Sequence, residues 1–287
     1  MKYLKLIRPK QWLKNCFVIA PLVFSGNISF DLIIISIKAM IIFIIVSSCV
    51  YIFNDIRDYD FDQKHPEKKF RPIANGDITI NKASIFLCLL LVITICLLFL
   101  FNISTQGIAL ILLYLFLNFF YSVGLKNIPL LELAILSSGF VIRLIFGSLE
   151  TSTQLSPWII VCSGLLSLML AVGKRRNELK YQSKLNGPSR ISLKGYNVEF
   201  LDQINSMLAS VTIVSYLLFC VSQYAISSLG PYILWTSPFV VFSILRYLQL
   251  VSIQLLGEDP TALLIGDKVS VGLFMAWFLL ISILIYL

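Results

Sequence analysis

Long apolar runs separated by short polar segments dominate the chain. A transmembrane helix needs about 20 mostly apolar residues, and runs of roughly this length predict nine spans. We place the spans at 15–28, 32–53, 84–103, 106–123, 128–149, 156–173, 203–227, 231–250 and 269–287. The first run is short and contains Pro21. The pattern predicts an all-α, polytopic membrane protein in which residues 1–287 form a single domain.

The loop charges predict the orientation. When the segments between spans are assigned alternately to the two sides, the side of the N-terminus holds 20 of the 23 Lys and Arg residues. The remaining three lie inside spans, and the opposite loops contain none. Positive loops stay in the cytoplasm, so we expect a cytoplasmic N-terminus and a C-terminus outside, in a cell membrane of the bacterial inner-membrane type. The longer loops, and any active site that they form, then face the cytoplasm.

Composition agrees with this interpretation. The chain is 58% hydrophobic and 13% charged, whereas soluble domains carry about 25% charged residues. The six cysteines lie in apolar stretches without metal-ligand spacing, which is typical of small core residues. The net charge of +8 follows from the cytoplasmic loops, so it gives no reason to expect nucleic acid as a partner.

An acidic segment, NDIRDYDFD (54–62), directly follows the second apolar run. At 100° per residue of helix, Asp55, Asp58 and Asp62 fall within about 60° of arc. Asn54 lies about 40° further on, and Asp60 points the other way. Three carboxylates and an amide therefore share one face of the predicted helix.

Carboxylates this close repel one another unless a cation lies among them. Mg²⁺ prefers hard oxygen ligands and usually takes one or two carboxylates plus substrate phosphates. Asn54, Asp55, Asp58 and Asp62 are therefore candidate metal ligands. Lys69 and Arg71 follow shortly in the sequence, and an acidic metal holder beside basic residues suits a magnesium-bound diphosphate. The alternative is a solvated acidic helix end.

NDIRDYDFD matches the pattern N-D-x-x-D-x-x-x-D and resembles the first aspartate motif of the UbiA superfamily of intramembrane prenyltransferases. The resemblance implies a nine-helix bundle around a cavity that opens toward lipid, with a polar cap on the cytoplasmic side. It covers roughly residues 8–268. Five further stretches are similar to the decaprenyl-phosphate phosphoribosyltransferase branch: RPKQWLKN (8–15), HPEKKFRPIANG (65–76), YSVGLKNIPLLE (121–132), FVIRLIFG (140–147) and GKRRNEL (173–179).

That branch implies transfer of 5-phosphoribose from phosphoribosyl diphosphate (PRPP) to a polyprenyl phosphate, with Mg²⁺ as cofactor. Many prenyltransferases carry a second aspartate motif, D-x-x-x-D, and the stretch that we matched to it here offers only Glu132. A lone acid speaks against a prenyl diphosphate held between two acidic motifs. The resemblance makes Asp55, Asp58, Asp62 and Glu132 the candidate catalytic residues.

Other polar residues are candidates for substrate binding, each beside a simpler interpretation. Lys10 and Lys14 would contact the acceptor phosphate, or are ordinary interfacial lysines. Cations of the 174–176 cluster would hold the ribose 5-phosphate, or form an ordinary basic helix end. Glu132 and Arg143 share one helix face about 16 Å apart, and Arg143 equally suits a structural pairing inside the bundle. The full set of candidate substrate-binding residues is Lys10, Lys14, Asn54, Lys69, Arg71, Tyr121, Lys126, Arg143, Lys174, Arg175 and Arg176.

Two residues of the last inner loop, Asp259 and Asp267, could contact Mg²⁺ or ribose, although a solvated loop explains them equally well. Three functions remain as hypotheses. The first is a Mg²⁺-dependent membrane phosphoribosyltransferase that uses PRPP and a polyprenyl phosphate among membrane lipids. The second is a prenyltransferase that moves a prenyl group from a prenyl diphosphate to an aromatic or polar acceptor. The third, a transporter or lipid-binding protein that uses the acids for ion coupling, is disfavoured because the sequence shows no internal repeat and no carboxylate at mid-membrane depth.

Overall fold

A computed structural model of the chain describes residues 2–26, 28–182, 190–253, 264 and 266–286. Every regular element in these ranges is helical. The α-helices are α1 (Lys2–Leu6), α2 (Ala20–Val23), α3 (Phe30–Arg57), α4 (Tyr59–Lys64), α5 (Ile80–Leu100), α6 (Thr105–Val123), α7 (Leu131–Thr151), α8 (Pro157–Gln182), α9 (Val198–Cys220), α10 (Gln223–Leu229), α11 (Ser237–Ile253) and α12 (Lys268–Tyr286). Short 3₁₀ helices cover Pro9–Val18, Lys68–Phe70, Leu125–Asn127, Ile191–Gly195 and Pro231–Thr236.

Eight helical segments in the described ranges are long and apolar enough to cross a membrane, so the all-α, multi-pass prediction is confirmed. The first of the nine predicted spans, 15–28, is not confirmed. It contains the end of the 3₁₀ helix Pro9–Val18 and the four residues of α2. The predicted span 203–227 also differs from the structure. Helix α9 ends at Cys220, and Ser222 caps the separate helix α10 by accepting a hydrogen bond from the Ala225 amide.

The chain divides into two compact units. The first contains Met1–Leu155 and Gly187–Ser192, and the second contains Ser156–Asn186 and Leu193–Leu287. In the first unit, α3 packs against α5, α6 and α7. In the second unit, α8 packs against α9, and α11 packs against α9 and α12. Whether both units act as the single predicted domain stays a prediction.

Helix α7 is the most buried of the eight membrane spans in the described ranges: 56% of its most apolar stretch is buried, against 11% for α5. Gly147 of α7 lets the 3₁₀ helix Pro9–Val18 come close, because a Cβ atom there would lie 1.9 Å from the Val18 carbonyl oxygen. The core beside this contact contains Phe43 and Phe146. Helix α7 thus has neighbours around most of its surface, whereas α5 presents apolar side chains for lipid.

Candidate active site

The acidic segment lies where α3 ends and α4 begins. Asp58 forms the junction between the two helices, and its backbone angles (φ −94°, ψ 9°) leave the helical range, but hydrogen bonds between residues four apart continue across it. The Asp58 amide donates to the Asn54 carbonyl at 2.9 Å, and the Asp62 amide donates to the Asp58 carbonyl at 2.8 Å. Asp55 and Asp62 are 2% and 1% exposed, whereas Asp60 is exposed, as the predicted helical phase requires. We call Asp55, Asp58 and Asp62 the acid cluster.

Three cations from separate parts of the first unit neutralise the acid cluster. Arg8, between α1 and the first 3₁₀ helix, pairs with Asp55. One guanidinium nitrogen of Arg71, Nη1, lies 3.1 Å from Asp55 and 2.6 Å from Asp62. The third cation, Lys126, lies in the 3₁₀ helix Leu125–Asn127 and pairs with Asp58. Arg71 and Lys126 were predicted from the sequence, whereas Arg8 was not.

Neutral groups complete the contacts of Asp58. The Asn54 side-chain amide donates to Asp58 at 3.2 Å. The side-chain oxygen of Asn54, Oδ1, in turn accepts a hydrogen bond from the Ser122 hydroxyl of α6 at 3.1 Å. Because this oxygen is already engaged, Asn54 supports the orientation of Asp58 in the structure. Ser122 was not predicted as a site residue, and a lone serine at a helix end gives no signal by which it could have been.

Asp62 differs from its two neighbours. Its Oδ1 atom is buried and has no hydrogen-bond partner among the described residues, although its Oδ2 atom accepts from Arg71. Burial raises the pKa of Asp62, and the nearby Arg71 guanidinium opposes that rise. An unsatisfied buried oxygen is unfavourable, and a carboxylate oxygen is a ligand that Mg²⁺ prefers.

This oxygen makes Asp62 the member of the acid cluster that best fits a metal. In the described residues, no group of three or more Asp, Glu, His or Cys side chains converges closely enough to bind an ion by itself. Mg²⁺ rarely relies on such a set, since substrate phosphates and water supply its other ligands. The residues present therefore fit a magnesium ion that arrives with a phosphate ligand.

Other predicted substrate contacts in the first unit are more scattered. The buried Tyr121 accepts a hydrogen bond from Arg190, which the sequence analysis did not single out, at 3.2 Å. Lys69 is exposed and lies over the Phe70 ring at 5.2 Å. Lys10 is exposed and Lys14 half-buried in the 3₁₀ helix that follows Arg8. These positions leave both interpretations of the two N-terminal lysines open.

Glu132 and Arg143 both lie on the buried side of α7, as the helical spacing predicts. Glu132 is fully buried in the first turn of the helix. Arg143 donates hydrogen bonds to the Asn15 side chain at 2.8 Å, the Gly139 carbonyl at 2.7 Å and the Tyr114 hydroxyl at 3.1 Å. Three aromatic rings also surround its guanidinium: those of Phe43, Tyr114 and Phe140. This packing favours the structural alternative for Arg143.

The 174–176 cluster lies on α8 in the second unit, and the helix continues nine residues beyond the predicted span end at 173. Arg176 pairs with Asp202 of α9 and donates to the Val251 carbonyl at 2.7 Å. Arg175 is 1% exposed and donates to Glu178 at 2.7 Å, whereas Lys174 is half-buried. Both arginines thus have acidic partners within the second unit.

Of the two aspartates predicted in the last inner loop, the structure describes only Asp267. Asp267 pairs with Arg246 through both carboxylate oxygens, at 2.7 and 3.0 Å, and accepts hydrogen bonds from Ser270 at the start of α12. The hydrogen bond from Arg246 holds the pKa of Asp267 well below its usual range. The residue therefore anchors a helix start. Asp259 lies outside the described residues.

Known proteins resemble this chain over most of its length. A profile of the UbiA prenyltransferase family matches residues 16–263. A decaprenyl-phosphate phosphoribosyltransferase from Corynebacterium glutamicum is 34% identical over 293 residues, covering 99% of this chain and 86% of that protein. The enzyme of the same name from Mycolicibacterium smegmatis is 32% identical, covering 99% and 92% respectively.

Solved structures show the same fold. A UbiA homologue from Archaeoglobus fulgidus bound to GPP and Mg²⁺ matches with a TM-score of 0.70 over 98% of this chain and 100% of that one. A digeranylgeranylglyceryl phosphate synthase matches with a TM-score of 0.66, over 99% of this chain and 96% of that one. The sequence identities are 16% and 18%, so these matches speak for the fold alone.

Proposed function

The chain belongs to the UbiA prenyltransferase family, and from this premise we propose that it transfers 5-phosphoribose from PRPP to a polyprenyl phosphate and releases diphosphate. The observation that carries the proposal is the 32–34% identity, over nearly the whole chain, to enzymes named decaprenyl-phosphate phosphoribosyltransferase. The acid cluster with its ring of cations supports the same chemistry.

The reaction requires positioning and charge stabilisation more than proton transfer. The bond between the anomeric carbon of the ribose and the diphosphate oxygen breaks, and its electron pair leaves with the diphosphate. An oxygen of the polyprenyl phosphate forms the new bond to the same carbon. The acceptor oxygen is already anionic, so no general base is needed, and the residues must align the two groups and stabilise the departing charge.

The acid cluster is the proposed holder of the magnesium diphosphate. When bound, Mg²⁺ neutralises charge on the departing diphosphate. Asp62 and Asp55 would supply metal ligands, while Asp58 is oriented by Asn54. Arg71 is about one-quarter exposed, which leaves part of its guanidinium available to a phosphate, and Arg suits bidentate phosphate contacts.

The remaining candidate residues are proposed to contact parts of the substrates away from the magnesium diphosphate. Glu132, Lys69, Tyr121 and Lys126 would extend the donor site within the first unit. Lys10 and Lys14 would contact the acceptor phosphate. Lys174, Arg175 and Arg176 are proposed for the ribose 5-phosphate, although the acidic partners of the two arginines weaken that part of the assignment.

We also propose nine crossings, with the N-terminus and the acid cluster facing the cytoplasm of a bacterial-type cell membrane. The segment from Pro9 to Val23 supports a first crossing, because ten residues of 3₁₀ helix at about 2 Å each and the four residues of α2 at about 1.5 Å each extend roughly 26 Å, close to the hydrocarbon thickness of about 30 Å. The cytoplasmic orientation rests on the asymmetry of the loop charges. A C-terminal reporter that works only outside the cytoplasm tests this topology, and an inactive reporter alongside an active cytoplasmic one would contradict it.

A second candidate function is transfer of a prenyl group from a prenyl diphosphate to an aromatic or polar acceptor. It is favoured by the fold shared with a UbiA homologue bound to GPP and Mg²⁺. One assay separates the two: the purified protein receives radiolabelled PRPP with a polyprenyl phosphate, with and without Mg²⁺. A labelled lipid that requires Mg²⁺ supports the first function. Product only from a prenyl diphosphate and an aromatic acceptor would replace it with the second.

A further inference from the structure

We propose that Arg8, Arg71 and Lys126 act as internal counter-cations, which occupy the acid cluster until Mg²⁺ and the diphosphate bind together. The metal alone would then bind weakly, and each ligand would strengthen the binding of the other. The inference deepens the proposed function and rests on it for the identity of the diphosphate, which is PRPP.

The balance of charge in the acid cluster is the first argument. Three carboxylates face three cations, and each carboxylate has at least one cationic partner. The repulsion that would attract a bare divalent cation is therefore already neutralised. A metal that entered alone would add positive charge beside Arg8, Arg71 and Lys126. A diphosphate that enters with the metal gives those three cations a new anionic partner.

Exposure of the side chains is the second argument. Asp55 and Asp62 are each 2% exposed at their side chains, whereas Arg8 and Arg71 are 25% and 24% exposed. The carboxylates are fixed below the surface, while the guanidinium groups reach it. A cation at the surface can turn toward an arriving phosphate, and charge-assisted contacts between Arg and phosphate are among the stronger hydrogen bonds.

The unsatisfied Oδ1 atom of Asp62 is the third and independent argument. It is buried and accepts no hydrogen bond from the described residues, so coordination of a metal would break no existing hydrogen bond of this atom. The other carboxylate oxygen of Asp62 is held by Arg71 at 2.6 Å. One ligand is thus ready for the metal, and the remaining contacts depend on release of the counter-cations.

Arg8 provides the sharpest test, because Asp55 keeps Arg71 as a second partner when Arg8 is removed. The Arg8→Gln variant should leave the acid cluster with an excess negative charge and bind a divalent cation more readily. Arg57→Gln is the matched control, since it removes the same charge from an exposed position at the end of α3. If Arg8→Gln does not fold, Lys126→Gln removes the partner of Asp58 and serves the same purpose.

The experiment uses the full chain in detergent and two binding measurements. Mn²⁺ binding without PRPP is followed by electron paramagnetic resonance, and binding of radiolabelled PRPP is measured with EDTA or with saturating Mg²⁺. Linked ligands typically change each other's affinity by about 5- to 150-fold. We expect Mg²⁺ to raise the PRPP affinity of the wild type within that range. We expect Arg8→Gln to bind Mn²⁺ alone at least about fivefold tighter than Arg57→Gln does.

Each outcome decides the inference, and the proposed function is judged separately. Equal Mn²⁺ affinity in Arg8→Gln and Arg57→Gln would overturn the counter-cation role, even if labelled lipid is still formed. An unchanged PRPP affinity with Mg²⁺ would overturn it as well. If geranyl diphosphate shows the coupling and PRPP does not bind, the counter-cations are upheld and the phosphoribosyl function fails.

Discussion

Asp60 and Asp62 offer a matched pair of substitutions in one short helix. Both change to Asn with nearly no change in size, and the two positions are two residues apart in α4. Asp62 is 1% exposed and contacts Arg71, while Asp60 is exposed. We expect Asp62→Asn to abolish most of the Mg²⁺-dependent transfer and Asp60→Asn to leave it nearly unchanged.

The size of the effect follows from the contacts of Asp62. An amide keeps one oxygen but removes the charge that would face the metal after Arg71 turns to the diphosphate. A contact to a charged group contributes about 1.5–3 kcal/mol. If the contact between the Asp62 carboxylate and the metal contributes at least this much in the transition state, kcat/KM falls by roughly ten- to a hundredfold or more.

The thermal stability of Asp62→Asn, unlike its activity, should not fall. Burial raises the pKa of Asp62 against the effect of Arg71, so the ionised carboxylate is less favourable in the folded protein than in water. A raised pKa of an acid means that its charge lowers stability at pH values above that pKa. Asp62→Asn removes this charge, and its Tm in EDTA should equal or exceed that of the wild type at neutral pH.

The assay is transfer of label from PRPP to lipid across a range of Mg²⁺, with Tm measured on the same preparations. A loss of activity together with a fall in Tm of more than about 4 °C would mean that Asp62 supports the fold, since about 1 kcal/mol shifts Tm by 2–4 °C in domains of 150–250 residues. Equal activity in the two variants would show that the helical phase does not define the site.

Two further variants test residues that we interpret as structural. Arg143→Met removes three hydrogen bonds and three ring contacts. It should lower the free energy of unfolding by about 2–4 kcal/mol and leave the KM for PRPP unchanged. A selective rise in that KM would mean that Arg143 contacts the substrate. Asp267→Asn should lower Tm at neutral pH, because the hydrogen bond from Arg246 holds the pKa of Asp267 low. A lowered pKa stabilises the fold above the unfolded value of about 3.8, so the Tm difference should shrink as the pH falls below it; a difference independent of pH would contradict the ion pair.

The membrane helices were predictable because apolar length is a local property. The predicted span 32–53 lies inside α3, and 106–123 lies inside α6 with one residue to spare. The break after Cys220 was not predictable in the same way. The residues around Val221 and Ser222 remain apolar or neutral, with no Gly or Pro to mark an end. A serine cap alone ends α9 and begins α10, and serine is common inside membrane helices too.

In the candidate site, too, local features were predictable from the sequence, whereas contacts between distant residues were not. Helical phase correctly separated Asp60 from Asp62, because both positions follow from a single helix. Two of the three cationic partners come from far along the chain: Arg8 is 47 residues from Asp55, and Lys126 is 68 residues from Asp58. No periodicity connects such positions. Arg8 stood in a stretch that resembled the family, yet its contact required the fold to be known.

A comparison of Arg143 with the acid cluster shows why burial of charge alone does not identify an active site. The Arg143 guanidinium is held by three neutral hydrogen-bond partners and three aromatic rings, which fix its position. In the acid cluster, by contrast, Asp55 and Asp62 are buried while their partners Arg8 and Arg71 are partly exposed. Buried ion pairs contribute little net stability over apolar packing, so stability does not account for four of them at one helix junction. Fixed carboxylates with movable counter-cations are what a reaction between two phosphate compounds requires, because the cations can exchange one anion for another.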